Sequence, residues 1–158
     1  RKGIPIDAAY AHALAERLVA QQRRDGGSLL VLASRRTPAG VVAVLRERLA
    51  GIPGVVWSSE EDGANPYPAA MGWADRLVVT PDSINMLSEA CAIGCAVQTL
   101  VRAPLPGKFA RFHQALREAV LLHGLDDTPP ARQTPLRETR AIAETVRQRI
   151  AARNASRS

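Results

Sequence analysis

The sequence predicts an α/β fold in which a parallel sheet is layered between helices. Three observations predict it. Short apolar runs alternate with helix-periodic segments, an order that requires right-handed crossovers between parallel strands. Two of those runs pass into polar loops and then into helices: Ser34-Arg35-Arg36-Thr37 after residues 28–33, and Thr80-Pro81-Asp82-Ser83 after an apolar run ending at Val79. The 158 residues, 46% of them hydrophobic, suffice for one well-buried domain and not for two ordinary ones. This is the plan of a Rossmann-like, three-layer domain.

The elements follow in order. Residues 8–23 place Ala11, Leu14, Leu18 and Val19 at helical spacing behind Asp7, a good N-cap, and Asp25-Gly26-Gly27 ends the helix. Residues 28–33 form a continuous apolar run, as in a strand buried on both faces. Thr37 and Pro38 suit the cap and first turn of a helix reaching about Ala50, with Val41, Val42, Leu45 and Leu49 inward. Gly51-Ile52-Pro53-Gly54 breaks it, and 55–57 is a short strand. A polar loop over 58–68 leads to a short helix near 68–74 and a strand at 76–80. A helix over 83–93 stops at Gly94, and a last strand covers 96–101. After the turn 104–107 a long helix runs over 108–122; a Pro-rich connector, 124–135, leads to a helical tail over 136–152.

Charge is uneven. The net charge is +6, and residues 132–158 alone carry seven Arg against two Glu. Such a tail is either a solvated helix face or a point of peripheral contact with an anionic membrane surface. Nucleic acid is not the expected partner, because no aromatic residue interleaves with these arginines to stack on bases. Cys91 and Cys95 are too few for a structural zinc site and read as buried thiols of a reducing compartment. No stretch approaches the roughly 18 apolar residues that span a bilayer. The chain opens Arg1-Lys2-Gly3, without an initiator Met or apolar leader, and is expected to be a piece of a cytoplasmic protein.

Ligands of open α/β sheets sit at the carboxyl ends of strands, against helix N-termini whose free N–H groups favour anions. Two loops fit that place. Arg35 and Arg36 offer planar forks for phosphate, with Ser34 and Thr37 beside them; the other reading is a capped helix with two surface arginines. Asp82 and Ser83 open a helix that carries Glu89 two turns on, a set able to bond ribose or sugar hydroxyls; capping is the other reading. Lys108 opposes the dipole of its own helix, which makes sense beside an anionic ligand. Asn65 and Tyr67, in the longest polar loop, are further candidates. Met86 is assigned to packing and His113 to structure. The chain has no dinucleotide fingerprint, no P-loop, no hydrolase triad and no metal-ligand cluster, so no metal or resident cofactor is expected.

Together, 34–38 (Ser-Arg-Arg-Thr-Pro), 61–67 (Glu-Asp-Gly-Ala-Asn-Pro-Tyr), 73–75 (Trp-Ala-Asp), 80–90, 107–113 (Gly-Lys-Phe-Ala-Arg-Phe-His) and 135–139 (Pro-Leu-Arg-Glu-Thr) resemble the mitochondrial-fission Elm1-type family. The resemblance covers nearly the whole chain, in order. Bacterial members were once labelled predicted nucleoside-diphosphate-sugar epimerases; the plant member is a fission factor that recruits a dynamin-related protein. The resemblance implies the C-terminal half of a glycosyltransferase-B-type fold, whose partner is an N-terminal domain outside this chain. It implies a nucleoside diphosphate or nucleotide sugar as ligand, with Ser34, Arg35, Arg36 and Thr37 on the diphosphate. Asp82, Ser83 and Glu89 would then face sugar or ribose, with Lys108 near the same cleft. It implies no catalytic residue here: the base would come from the other half, and this part alone would not turn over substrate. A protein partner, with the fold kept as a scaffold, is the alternative it allows. One departure stands out. Where the family has Gly-Lys-Pro-Val, this chain has Gly94-Cys95-Ala96-Val97, expected to remove a basic residue beside the cleft.

Overall fold

The computed structural model describes residues 4–136. The tail helix expected over 136–152, and with it most of the basic tail, lies beyond Leu136, outside the described residues. Helix α1 (Ala8–Asp25) starts as its sequence dictates: Asp7 Oδ1 accepts the Tyr10 N–H at 2.8 Å. Gly26, at φ 75°, closes it in a conformation that suits glycine. The chain continues through β1 (Leu29–Leu32), α2 (Ala39–Arg48) and β2 (Gly54–Trp57). After a 3₁₀ turn at Glu60–Asp62 come α3 (Tyr67–Trp73), β3 (Arg76–Val78), α4 (Ile84–Cys91), β4 (Ala96–Thr99), α5 (Gly107–Glu118) and β5 (His123–Gly124).

The architecture is mixed α/β with parallel pairing throughout the named strands, in two small sheets, β1–β2 and β3–β4–β5, where a single sheet was expected. Both sheets share an orientation. Asp25, ahead of β1, pairs with Arg76 at the start of β3 at 3.1 Å, so the two strands begin at one end. Helix α1 runs the other way: Tyr10 near its start donates its hydroxyl to the Leu100 carbonyl, just past β4, at 3.1 Å.

One apolar cluster spans the two sheets. Ala11, Ala15 and Leu18 of α1 meet Val41 and Leu45 of α2 and Leu49, with Leu29, Val31, Val56 and Val78 beneath. Ala11 and Ala15 are fully buried, and their small side chains let the helices close on each other. On the opposite face, α4 and α5 bury Leu87, Ala90, Cys91 and Leu116 against Val97, with Leu77 and Val79 at the margin. Three layers result at β3–β4–β5.

Between α1 and the sheet lies a polar knot. Gln98 is fully buried, and its Nε2 faces the carbonyls of Gly124, Leu125 and Asp127 at 3.0–3.3 Å. Gln21 of α1 donates to Gln98 Oε1 at 3.2 Å and to the Leu125 carbonyl at 2.8 Å. These bonds fasten the very short β5, which falls where a helix end and connector were expected.

Several other expectations change. The run 28–33 is not buried on both faces: Leu30 is 40% exposed, and Val55, its cross-strand partner, 49%. Both point away from the α1–α2 layer, and alternation along a strand explains why Leu29 and Val31 are covered while Leu30 is not. Thr37 does not cap α2. Its Oγ1 accepts the Ser34 N–H at 2.9 Å, and Pro38 stands at the cap position without a side-chain bond. The helix α5 ends at Glu118, not Leu122, where Val120 takes a positive φ of 58°. The loop 58–68 is ordered by Asp62, which accepts from Ser58 N–H at 2.8 Å and pairs with Arg46 at 2.7 Å.

Candidate functional site

The strands deliver their following loops to one edge. After β1, Ser34, Arg35 and Arg36 are exposed and Thr37 half-buried. The loop satisfies its own backbone: besides the Ser34–Thr37 bond, the Arg36 N–H donates to Ser34 Oγ at 3.2 Å. The two hydroxyls therefore serve as the framework of the turn. No hydrogen bond or ion pair among the described residues engages the Arg35 or Arg36 guanidinium.

After β3, Thr80 Oγ1 donates to Asp82 Oδ1 at 2.7 Å, orienting that carboxylate. Ser83 is the N-cap of α4, its Oγ accepting the Met86 N–H at 3.4 Å. Both Asp82 and Ser83 are half-buried. His113 of α5, buried, contacts the Pro81 carbonyl from below.

After β4, the loop over 100–106 leads to α5. Lys108, exposed in the first turn, stands 5.6 Å from the centre of the Phe109 ring. Lys108 and Phe109 face Ile84 and Asn85 across an open recess of about 430 Å³, where the N-termini of α4 and α5 meet. The structure thus brings Lys108 beside the α4 start that carries Ser83.

Glu89 is exposed two turns along α4, and the Tyr67 hydroxyl donates to its Oε2. Tyr67 opens α3, its N–H held by Asn65 Oδ1 at 3.0 Å. Asn65, Tyr67 and Glu89, read separately in the sequence, therefore form one linked group. Burial, and after it Glu89, pushes the Tyr67 phenol up to about 12, so it remains a donor at neutral pH. Among the described residues no bond joins the 34–37 loop to Glu89 or Lys108; they share an edge, not a contact.

Sequence reasoning missed Tyr10 and Arg102. The Tyr10 phenol is raised by burial and then by Asp82, and pulled the other way by Arg102, so both charges lie near it. The signal for Arg102 was its place: it follows β4 as Arg35 follows β1. One expectation about place is corrected. Gly94 and Cys95 precede β4 and lie at the opposite end of the sheet, where Cys95 bridges Arg132 and Gly94 abuts Pro135. The departure from Lys-Pro is therefore remote from the candidate site. Among the described residues no three His, Cys, Asp or Glu side chains gather as a metal centre would require, and no helix is long and apolar enough to cross a membrane.

Comparison with known proteins agrees with the motifs. The family described as "Mitochondrial fission ELM1" matches over residues 1–150. The mitochondrial fission protein ELM1 of Arabidopsis thaliana is 34% identical over 132 residues, which cover 80% of this chain and 30% of that protein. The chain thus spans less than a third of that relative's length. No solved structure matches. On the family match and on this identity, the chain belongs to the mitochondrial fission ELM1 family.

Proposed function

We propose that this chain is the nucleoside-diphosphate-binding domain of a glycosyltransferase-B-like protein, holding a nucleotide sugar for an N-terminal domain that lies outside it. One observation carries the reading: cations that no hydrogen bond or ion pair engages among the described residues stand where strand ends meet helix starts. Lys108 flanks the recess between the α4 and α5 N-termini, and Arg35 and Arg36 project at the same edge. Free N–H groups at the helix starts favour phosphate, and arginine forks bind it in two-point fashion. Asp82, Ser83 and Glu89 suit the sugar or ribose hydroxyls.

If the whole protein transfers sugar, these cations stabilise the charge that grows on the departing diphosphate. The general base then comes from outside this chain, and the chain alone binds without turnover. A thermal-shift screen against nucleoside diphosphates and nucleotide sugars tests the reading, since binding to the native state raises the melting temperature. A shift with one base, lost in the Arg35→Ala/Arg36→Ala variant, supports it. A shift that survives that variant removes the arginines from the site.

A second reading is a protein-interaction scaffold, as befits a relative named for mitochondrial fission. The observation that favours it is the bare pair Leu30 and Val55 on β1–β2. Loss of partner capture by Leu30→Asp/Val55→Asp, with Arg35→Ala/Arg36→Ala silent, would select it. Peripheral membrane contact through the basic tail is tested by deleting residues 140–158 and measuring salt-dependent vesicle binding.

A further inference from the structure

Glu89 does not stand alone at the surface. Its Oε2 accepts from the Tyr67 hydroxyl, delivered from another helix 22 residues away in sequence. The Tyr67 backbone is itself set by Asn65, which accepts its N–H at the start of α3. The start of α3 thus delivers one fixed donor to a carboxylate borne by α4.

The carboxylate also shares its helix, α4, with a residue that lines the recess. Asn85 and Glu89 are four apart within α4, so their side chains stand on one face about 6 Å apart. Asn85 lines the recess with Lys108. A ligand with a phosphate at Lys108 and its sugar along this face would meet Glu89. An ionised carboxylate accepts only, and has two oxygens to share. With one oxygen committed to the Tyr67 phenol, the other has no hydrogen-bond partner among the described residues.

We infer that Tyr67 is a positioning residue for sugar recognition: it holds Glu89 so that the free oxygen accepts from a ribose 2′-hydroxyl of a nucleoside diphosphate. This rests on the nucleotide reading of the same edge. The ligand class it names is the ribonucleoside diphosphate, as distinct from its 2′-deoxy counterpart.

The test is calorimetric titration of the chain with paired probes: UDP and 2′-deoxy-UDP, ADP and 2′-deoxy-ADP, GDP and 2′-deoxy-GDP. Wild type, Tyr67→Phe, Glu89→Gln and the double variant are compared, with melting temperatures recorded for each. For the base that binds, the wild type prefers the ribo form by about three- to tenfold, the range of one hydrogen bond. Tyr67→Phe shrinks that preference toward unity while leaving 2′-deoxy affinity in place. In the Glu89→Gln background, Tyr67→Phe has no further effect, because it acts through the carboxylate.

A wild type without ribo preference overturns the inference, and so does a preference unchanged in Tyr67→Phe. An equal loss for both members of a pair also overturns it, and marks Tyr67 as a tie between α3 and α4. In each of these cases the nucleotide reading stands. Should the wild type bind none of the six probes, that reading falls and the inference falls with it.

Discussion

His113, on α5, bonds through Nε2 to the carbonyl oxygen of Pro81 at 3.0 Å. A carbonyl only accepts, so the ring carries its proton on Nε2, and the bond pins the loop bearing Asp82 and Ser83. The other nitrogen, Nδ1, is buried without a partner among the described residues. Burial lowers the His113 pKa, with the Pro81 bond opposing and Arg117 adding to the shift.

The pH dependence follows. The unfolded chain binds a proton at this ring near pH 6.5, and the folded chain only at lower pH. The stabilisation is full above about pH 6.5 and is lost as pH falls from there through the lowered folded value. Urea melts between pH 7.5 and 5 should show a decline of at most about 1.4 kcal/mol per pH unit from this group. His113→Phe should flatten that part of the profile.

Gln98 is expected to tolerate no apolar replacement. Gln98→Leu takes a donor from the Asp127 carbonyl, leaves the Gly124 and Leu125 carbonyls with one donor each, and deprives Gln21 of an acceptor. The cost should be about 2–3 kcal/mol. Denaturant midpoints of the variant would read it, and hydrogen exchange should show β5 loosening first.

Gly54 allows no side chain. It sits at φ 141°, and a Cβ built there would lie 1.9 Å from the Leu29 carbonyl oxygen. Gly54→Ala must push β2 away from β1, and a loss of about 3 kcal/mol or more is expected. Gly40, with open space around it, is the control: Gly40→Ala, in the first turn of α2, should be neutral or stabilising.

Leu30 and Leu87 should differ sharply despite their identical chemistry. Leu87 is fully buried in the α4–α5 core, and Leu87→Ala is expected to cost about 2–5 kcal/mol. Leu30, 40% exposed, should lose about 1 kcal/mol or less on replacement by Thr. Matching losses would mean that the β1–β2 face is covered in solution.

Local chemistry was legible in the sequence. Asp7 ahead of an alanine-rich stripe announces α1, and Ser83 caps α4 as its type suggests. Tertiary bonding was not. Thr37 has the chemistry of a cap, but Ser34 competes for its hydroxyl, and nothing local decides between them. The strand β5 has two residues, and it depends on Gln98 and Gln21, which are remote in sequence. At the candidate site the loops were legible because strand ends announce them. The link between Tyr67 and Glu89 depends on how α3 lies against α4, which no spacing reveals. Arg102 was visible only by analogy with Arg35.

The two cysteines carry a consequence of their own. Cys91 is fully buried, its Sγ–H donating to the Leu121 carbonyl at 3.4 Å, and Cys95 is nearly so. Burial first, and then Cys95, pushes the Cys91 thiol up to about 11; Cys95 is raised as well, again chiefly by burial. Neither sulfur is then a nucleophile in the closed molecule near neutral pH. A thiol reagent can react only when the core around α4 opens, so the labelling rate is a clock for that opening. The helix that carries Glu89 thereby comes with its own built-in stopwatch, and a ligand that grips this helix should slow it.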